Sequence, residues 1–252
     1  MAGGSNEPGR TAASRVLAVL GAFDSAHSVL GVTAVARRSG LAVSTAHRLV
    51  AELEDWGALT RRADGRYEIG PRLWEIGLLA PVNRELRQVA LPYMQDVLAT
   101  TGENVHLAVR DGSGVLYVER IHGNDAVPLV STMGTRLPMH ATGVGKVLLA
   151  DAPQLVQQGV LADLARVTPQ TITDPVRMRQ QLAEVRKRGF ARTLDEMTVG
   201  TASMAVPVRD AWGVTRAALG VVVTNTRRDL TRQLPALQVA ARGIGRQLAL
   251  PE

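Results

Sequence analysis

Between Gly31 and Gly70 the sequence GVTAVARRSGLAVSTAHRLVAELEDWGALTRRADGRYEIG places two apolar helical stripes on either side of a glycine and follows them with a short hairpin. Val32, Val35 and Ala36 form the first stripe, and Ser39-Gly40 ends it, because glycine accepts the left-handed conformation that stops a helix. Leu41 then plugs the turn. Ala46, Leu49, Val50 and Leu53 share one face of a second helix from Val43 or Ser44 to Trp56. Two helices joined by so short a turn make a helix-turn-helix, whose second helix enters a major groove by its N-terminal half. Val16, Val19, Leu20 and Phe23, within a helix expected from Ala13 to Ala26, pack beneath the pair.

The bare pattern also fits an ordinary three-helix core with a polar surface. The next residues favour a DNA-reading head. Leu59–Arg62 and Arg66–Ile69 flank Ala-Asp-Gly, and Asp64-Gly65 signals a tight hairpin, so a basic wing follows the recognition helix. Ser44, Thr45, His47 and Arg48 occupy the docking half of that helix, with Thr45 and Arg48 the best placed for base edges, since arginine grips guanine with two hydrogen bonds. Arg61, Arg62 and Arg66 of the wing suit phosphate or the minor groove. Thr33 and Arg37 on the preceding helix complete the candidate set; Arg37 and Arg38 fit phosphate contact and a solvated face equally well.

The formal net charge of +6 agrees with a polyanionic partner, and with Lys146 and Lys187 the only lysines, nearly all positive charge is guanidinium. There is no cysteine, which excludes disulfides, iron–sulfur clusters and thiolate zinc sites and suits a reducing, cytoplasmic setting. No run of about 18 apolar residues suggests a membrane span, and MAGGSNEPGR reads as a flexible tail over residues 1–10 rather than a signal peptide. The head is expected over 11–70, a linker helix over 71–82 beginning at Pro71 with Leu73, Ile76 and Ala80 on one side, and a second domain over 83–252.

In that second domain a helix from Asn83 to Thr101 precedes an alternating pattern. Strands are expected over Glu103–Arg110, Val115–Ile121, Val127–Thr132, Thr201–Arg209 and Arg216–Thr224, with Met133–Pro138 a loop. Helices are expected in MHATGVGKVLLA and over Gln154–Leu164, Pro175–Arg188 and Leu230–Leu248. The fold class is α+β, and strands joined by hairpins predict an antiparallel sheet with helices on one side.

The chain resembles the IclR family of bacterial transcription regulators along nearly all its length. GLAVSTAHRLVAELEDWGALTR and DGRYEIGPRL resemble the family's winged head and linker, GTRLPMHATGVGKVLLA its effector-pocket block, and DEMTVGTASMAVPVRDAWGVTRAALGVVV its C-terminal signature. The resemblance implies a GAF-like effector-binding domain, a homodimer whose two heads meet a near-palindromic double-stranded operator, and often a dimer of dimers. It implies a small-molecule effector, such as a carboxylic acid, and no cofactor. The pocket residues it implies are Leu129, Met133, Leu137, His140, Ala141, Thr142, Gly143, Val144, Asp195, Glu196 and Ser203. Met197 departs from the polar or charged residue of many relatives, which loosens any inference about a specific acidic effector.

Other chemistry is poorly supplied. GVGK is not a phosphate loop, since His140 replaces its first glycine and Val147 the hydroxyl that would hold magnesium. Ala141 to Val144 open a helix whose free N–H groups can hold a carboxylate, or else simply permit close packing. His140 contacts an effector or anchors its own loop; of Asp195 and Glu196, one caps backbone or contacts the effector. The remaining histidines lack metal-ligand spacing, no metal site is expected, and no GxSxG surrounds Ser203, so no catalytic residue is named. The alternative to an effector-responsive regulator is a constitutive architectural DNA binder whose second domain only oligomerises.

Overall fold

The computed structural model describes residues 10–24, 26–79, 84–123, 133–224 and 229–248. The chain forms two compact units, residues 1–82 and 83–252. Residues 1–9 of the expected tail, the end of the linker and the expected strand Val127–Thr132 with Leu129 lie outside the described residues.

In the first unit, helix α1 (Ala12–Leu20) packs on α2 (Val32–Ser39) and α3 (Val43–Asp55). Their core joins Val19, Val35, Ala46, Leu49 and Val50, each almost fully buried. Gly40 has φ +68 between α2 and α3, and Leu41 N–H donates to Ala36 O at 3.0 Å, so the turn closes as the glycine predicts. The hairpin of β2 (Leu59–Arg61) and β3 (Tyr67–Ile69) turns at Gly65, φ +78, and gains a third strand from β1 (Val29–Leu30), which pairs with β3. Strand β1 is too short to show an alternation. α1 stops at Leu20, earlier than expected, and Arg38 ties the following turn by donating from Nε to Ala22 O at 2.6 Å and from Nη2 to Asp24 Oδ2 at 2.5 Å. Arg38 is therefore spent on the head's own fold. Helix α4 (Pro71–Leu78) follows, with Leu73 half-buried against the head and Ile76 exposed.

In the second unit, α5 (Arg84–Thr101) leads into a six-stranded antiparallel sheet of order β6-β5-β4-β9-β8-β7. The strands are β4 (Asn104–Asp111), β5 (Gly114–Ile121), β6 (Arg136–Pro138), β7 (Ala191–Leu194), β8 (Ala202–Arg209) and β9 (Thr215–Val223). Between them stand α6 (Gly143–Ala150), α7 (Gln154–Ala162) and α8 (Pro175–Arg188), and α9 (Leu234–Gln247) closes the chain. Helices cover both faces of the sheet, not one. Val105, Leu107, Met204, Val206, Leu219 and Val221 face α5 and α9, while Ala108, Ala205 and Ala218 of the same strands face α6 to α8. Two-sided burial turns strict alternation into nearly continuous apolar runs, which hides the second layer. β6 replaces an expected loop and β7 stands where no element was expected, the two being three- and four-residue edge strands.

The two faces differ in side-chain size, and that difference makes room for a site. On the α6 side the central strands offer alanine and Gly220, where a Cβ would stand 3.1 Å from Val144 Cγ1. α6 therefore lies directly on the sheet. Its own glycines match: a Cβ at Gly143 would fall 2.6 Å from Ser203 Oγ, and one at Gly145 2.3 Å from Met139 O.

Candidate functional site

A cavity lies where α6 begins, between the sheet and the segment joining β7 to β8. Leu137, Thr142, Gly143, Val144 and Ser203 line it, as the sequence leads one to expect, together with His106, Tyr117, Thr193, Met197, Thr198 and Thr201. Thr142 caps α6: its Oγ1 accepts from Gly145 N–H at 3.1 Å. The N–H groups of Gly143 and Val144 belong to the first turn, where no intrahelical acceptor exists, so this end of the cavity favours an anion. Thr193 Oγ1 and Ser203 Oγ share a 2.6 Å hydrogen bond across the β7–β8 pair.

His106 and Tyr117 were hidden because each reads as an ordinary core position of an alternating strand. The discoverable signal is that His106 shares a face with Ala108, opposite the bulky Val105 and Leu107. Its ring stands edge-on to Tyr117, centroids 5.4 Å apart at 86°. Burial, helped by the charges of Arg120 and His122, pushes the His106 pKa down to about 3, and burial raises that of the Tyr117 hydroxyl. Folded His106 is thus neutral while the unfolded residue protonates near its ordinary value. Stability from this site is full above about pH 6.5 and is lost as pH falls toward 3, at up to about 1.4 kcal/mol per pH unit. Urea unfolding at pH 7 and pH 5 is expected to show that loss in the native chain and a shallower loss in His106→Gln.

Five candidate pocket residues stand outside this lining. His140 is buried and its Nε2 bonds Ala165 O at 2.9 Å, so it anchors its own loop, and Ala141 is packed beside it in the short turn before α6. Met133 is exposed. Asp195, at φ +57, caps backbone by accepting from Gly200 N–H at 2.6 Å. Glu196 turns away to a buried ion pair, Lys146 Nζ donating to its Oε1 at 2.6 Å and to Gln181 Oε1 at 2.6 Å. Burial lowers the Lys146 pKa against the pull of Glu196. The lysine of GVGK is therefore a strut between α6 and the segment that supplies Met197, Thr198 and Thr201 to the cavity.

On the head, Ser44, His47 and Arg48 are exposed on the N-terminal half of α3 and Thr45 is half-buried beside them; Thr33 and Arg37 are exposed on α2. Ala42 offers α3 no side-chain cap, leaving its first-turn N–H groups without that partner. Arg48 Nη1 donates to Glu52 Oε1 at 2.6 Å, Arg62 pairs with Glu68 at 2.8 Å and Arg66 with Asp64 at 2.7 Å. Arg61 lies over the Tyr67 ring at 6.0 Å. Such exposed pairs are weak and readily exchanged for phosphate.

Residues 12–63 match the model of the IclR helix-turn-helix domain, and residues 80–248 match that of the bacterial transcriptional regulator IclR C-terminal domain. The chain belongs to the IclR family of bacterial transcriptional regulators. Among its relatives, the HTH-type transcriptional regulator XynR of Escherichia coli is 30% identical over 243 residues, covering 94% of this chain and 96% of that one. The glycerol operon regulatory protein of Streptomyces coelicolor is 32% identical over 222 residues, 87% of each chain. An IclR homologue from Microbacterium hydrocarbonoxydans, solved as a complex with 4-hydroxybenzoate, superposes with TM-score 0.87 at 36% identity, covering 94% of this chain and 99% of that one. This IclR-family chain is thus a helix-turn-helix transcription regulator with a C-terminal effector domain. Among its described residues no helix is long and apolar enough to cross a membrane.

Proposed function

We propose that this chain regulates transcription by binding a near-palindromic operator as a homodimer or dimer of dimers, and that a small carboxylic acid held at the start of α6 sets its occupancy. The cavity carries the reading. It joins a helix N-terminus that attracts an anion to a largely apolar wall, and the related Microbacterium protein was solved with a carboxylic acid. Binding that favours one arrangement of the effector domain over another biases the heads. Exposed Trp74, Ile76 and Leu79 on and just after α4 support a helix that meets a second copy.

Operator selection followed by a screen of carboxylic acids for release or tightening tests the proposal. A ligand that binds the native state raises its melting temperature, so a chain stabilised by no acid and released by none would instead be a constitutive architectural binder. In the head, Ser44, Thr45, His47 and Arg48 are proposed to face the major groove, Arg61, Arg62 and Arg66 the flanking backbone or minor groove, and Thr33 and Arg37 phosphate. Arg48→Ala is expected to cost about 1–3 kcal/mol on the selected operator and much less on unrelated DNA at the same salt. Equal losses on both would demote Arg48 to a phosphate contact.

A further inference from the structure

The wall of the effector cavity holds no Asp, Glu, Lys or Arg among the described residues. Several of its hydroxyls are engaged within the protein. Thr142 bonds Pro138 O and caps α6, and the hydroxyls of Thr193 and Ser203 bond each other at 2.6 Å. His106 differs: it is 1% exposed and its buried Nε2 has no hydrogen-bond partner among the described residues. The edge-on contact with Tyr117 helps fix the ring, and its place on β4, paired with Arg120 of β5 and Gly220 of β9, sets it in the middle of the sheet. Buried polar atoms in native proteins nearly always find a partner, so an orphan lining a cavity points to something that enters it.

We propose that His106 is the specificity-determining residue of this cavity, selecting effectors that carry an uncharged hydrogen-bonding group, such as a phenol or alcohol hydroxyl, away from the carboxylate. The inference rests on the reading of this cavity as the carboxylate effector site. A neutral imidazole offers Nε2 as donor or acceptor according to its tautomer, and a hydroxyl can satisfy it in either sense. A second carboxylate or an ammonium would be buried opposite a wall with no counter-charge, which is costly. The ligand class is therefore a monoanion with a hydroxylated, otherwise apolar body. Dicarboxylates and amino acids are excluded.

Calorimetric titration of the full-length chain with 4-hydroxybenzoate, benzoate and terephthalate tests this, since the three acids differ only in what stands opposite the first carboxylate. The native chain is expected to prefer 4-hydroxybenzoate to benzoate by about tenfold and to bind terephthalate more weakly than either. His106→Leu is expected to erase the preference for the hydroxyl, and His106→Gln, which restores a neutral donor and acceptor, to keep part of it. Tight binding of terephthalate, or a folded His106→Leu protein that retains the preference, overturns the role of His106 and leaves the carboxylate site standing. Binding of none of the three overturns the role of His106, and the carboxylate site falls with it only if no acid in the wider screen stabilises the chain either. Should His106→Leu fail to fold, the native ranking and His106→Gln decide the matter.

Discussion

Lys146→Met is expected to destabilise the effector domain by about 3–5 kcal/mol, because it leaves the Glu196 carboxylate buried without its cation. Both side chains are almost fully enclosed, the ion pair is 2.6 Å long, and Glu196 Oε2 already lacks a hydrogen-bond partner among the described residues. Nothing is in reserve to absorb the loss. Calorimetric melting of the full-length chain should show the domain's transition fall by on the order of 10 °C. The double variant Lys146→Met/Glu196→Met should recover most of it, since replacing a whole buried pair by apolar groups is often neutral. A single variant that melts with the native chain would mean that water or a rearranged Gln181 solvates Glu196, and would remove the strut from the account of the cavity.

Gly143→Val is expected to abolish the effector response while sparing the operator. A Cβ there would stand 2.6 Å from Ser203 Oγ, itself held by Thr193, and the added methyls would occupy the space beside the first turn of α6. Overpacking of this kind costs about 1–3 kcal/mol of stability. For the ligand that stabilises the native chain, affinity should drop at least about a hundredfold, near 3 kcal/mol. The operator complex, measured by gel shift without ligand, should be little changed because Gly143 and the recognition helix belong to different units. Retained ligand binding would move the site away from α6.

The head was readable because its signals are local. Gly40 and Gly65 both take the left-handed conformation their positions demand, and the stripe Ala46, Leu49, Val50, Leu53 is buried as its spacing requires. Long elements of the effector domain were readable for the same reason; α8 spans the expected Pro175–Arg188 and ends at Gly189 with φ +74. What escaped depends on partners distant in sequence. β1, β6 and β7 are too short to carry a period and exist only through their neighbours. The second helical layer was masked by strands buried on both faces. The block around Ala141–Val144 led to the start of the cavity but not to its far wall, since nothing local distinguishes His106 from a core histidine until the sheet sets it beside Tyr117. Asp195 and Glu196 were adjacent carboxylates open to several roles, and only the tertiary structure divided them into a backbone cap and an ion pair.

The self-paired arginines of the head bear on how its grip on DNA responds to salt. Arg48, Arg62 and Arg66 each carry a carboxylate of the same unit within 2.8 Å. The polymer surrenders its condensed cations only to charge that arrives unneutralised. Arginines that keep Glu52, Glu68 or Asp64 while docked therefore release almost none. If they contact phosphate as proposed, Arg37 and Arg61, which form no ion pair among the described residues, would release their full share. The steepness with which operator affinity falls as salt rises thus reports how many of these arginines have let go of their own carboxylates, and a shallow dependence would mean that the head delivers its counter-ions along with its cations.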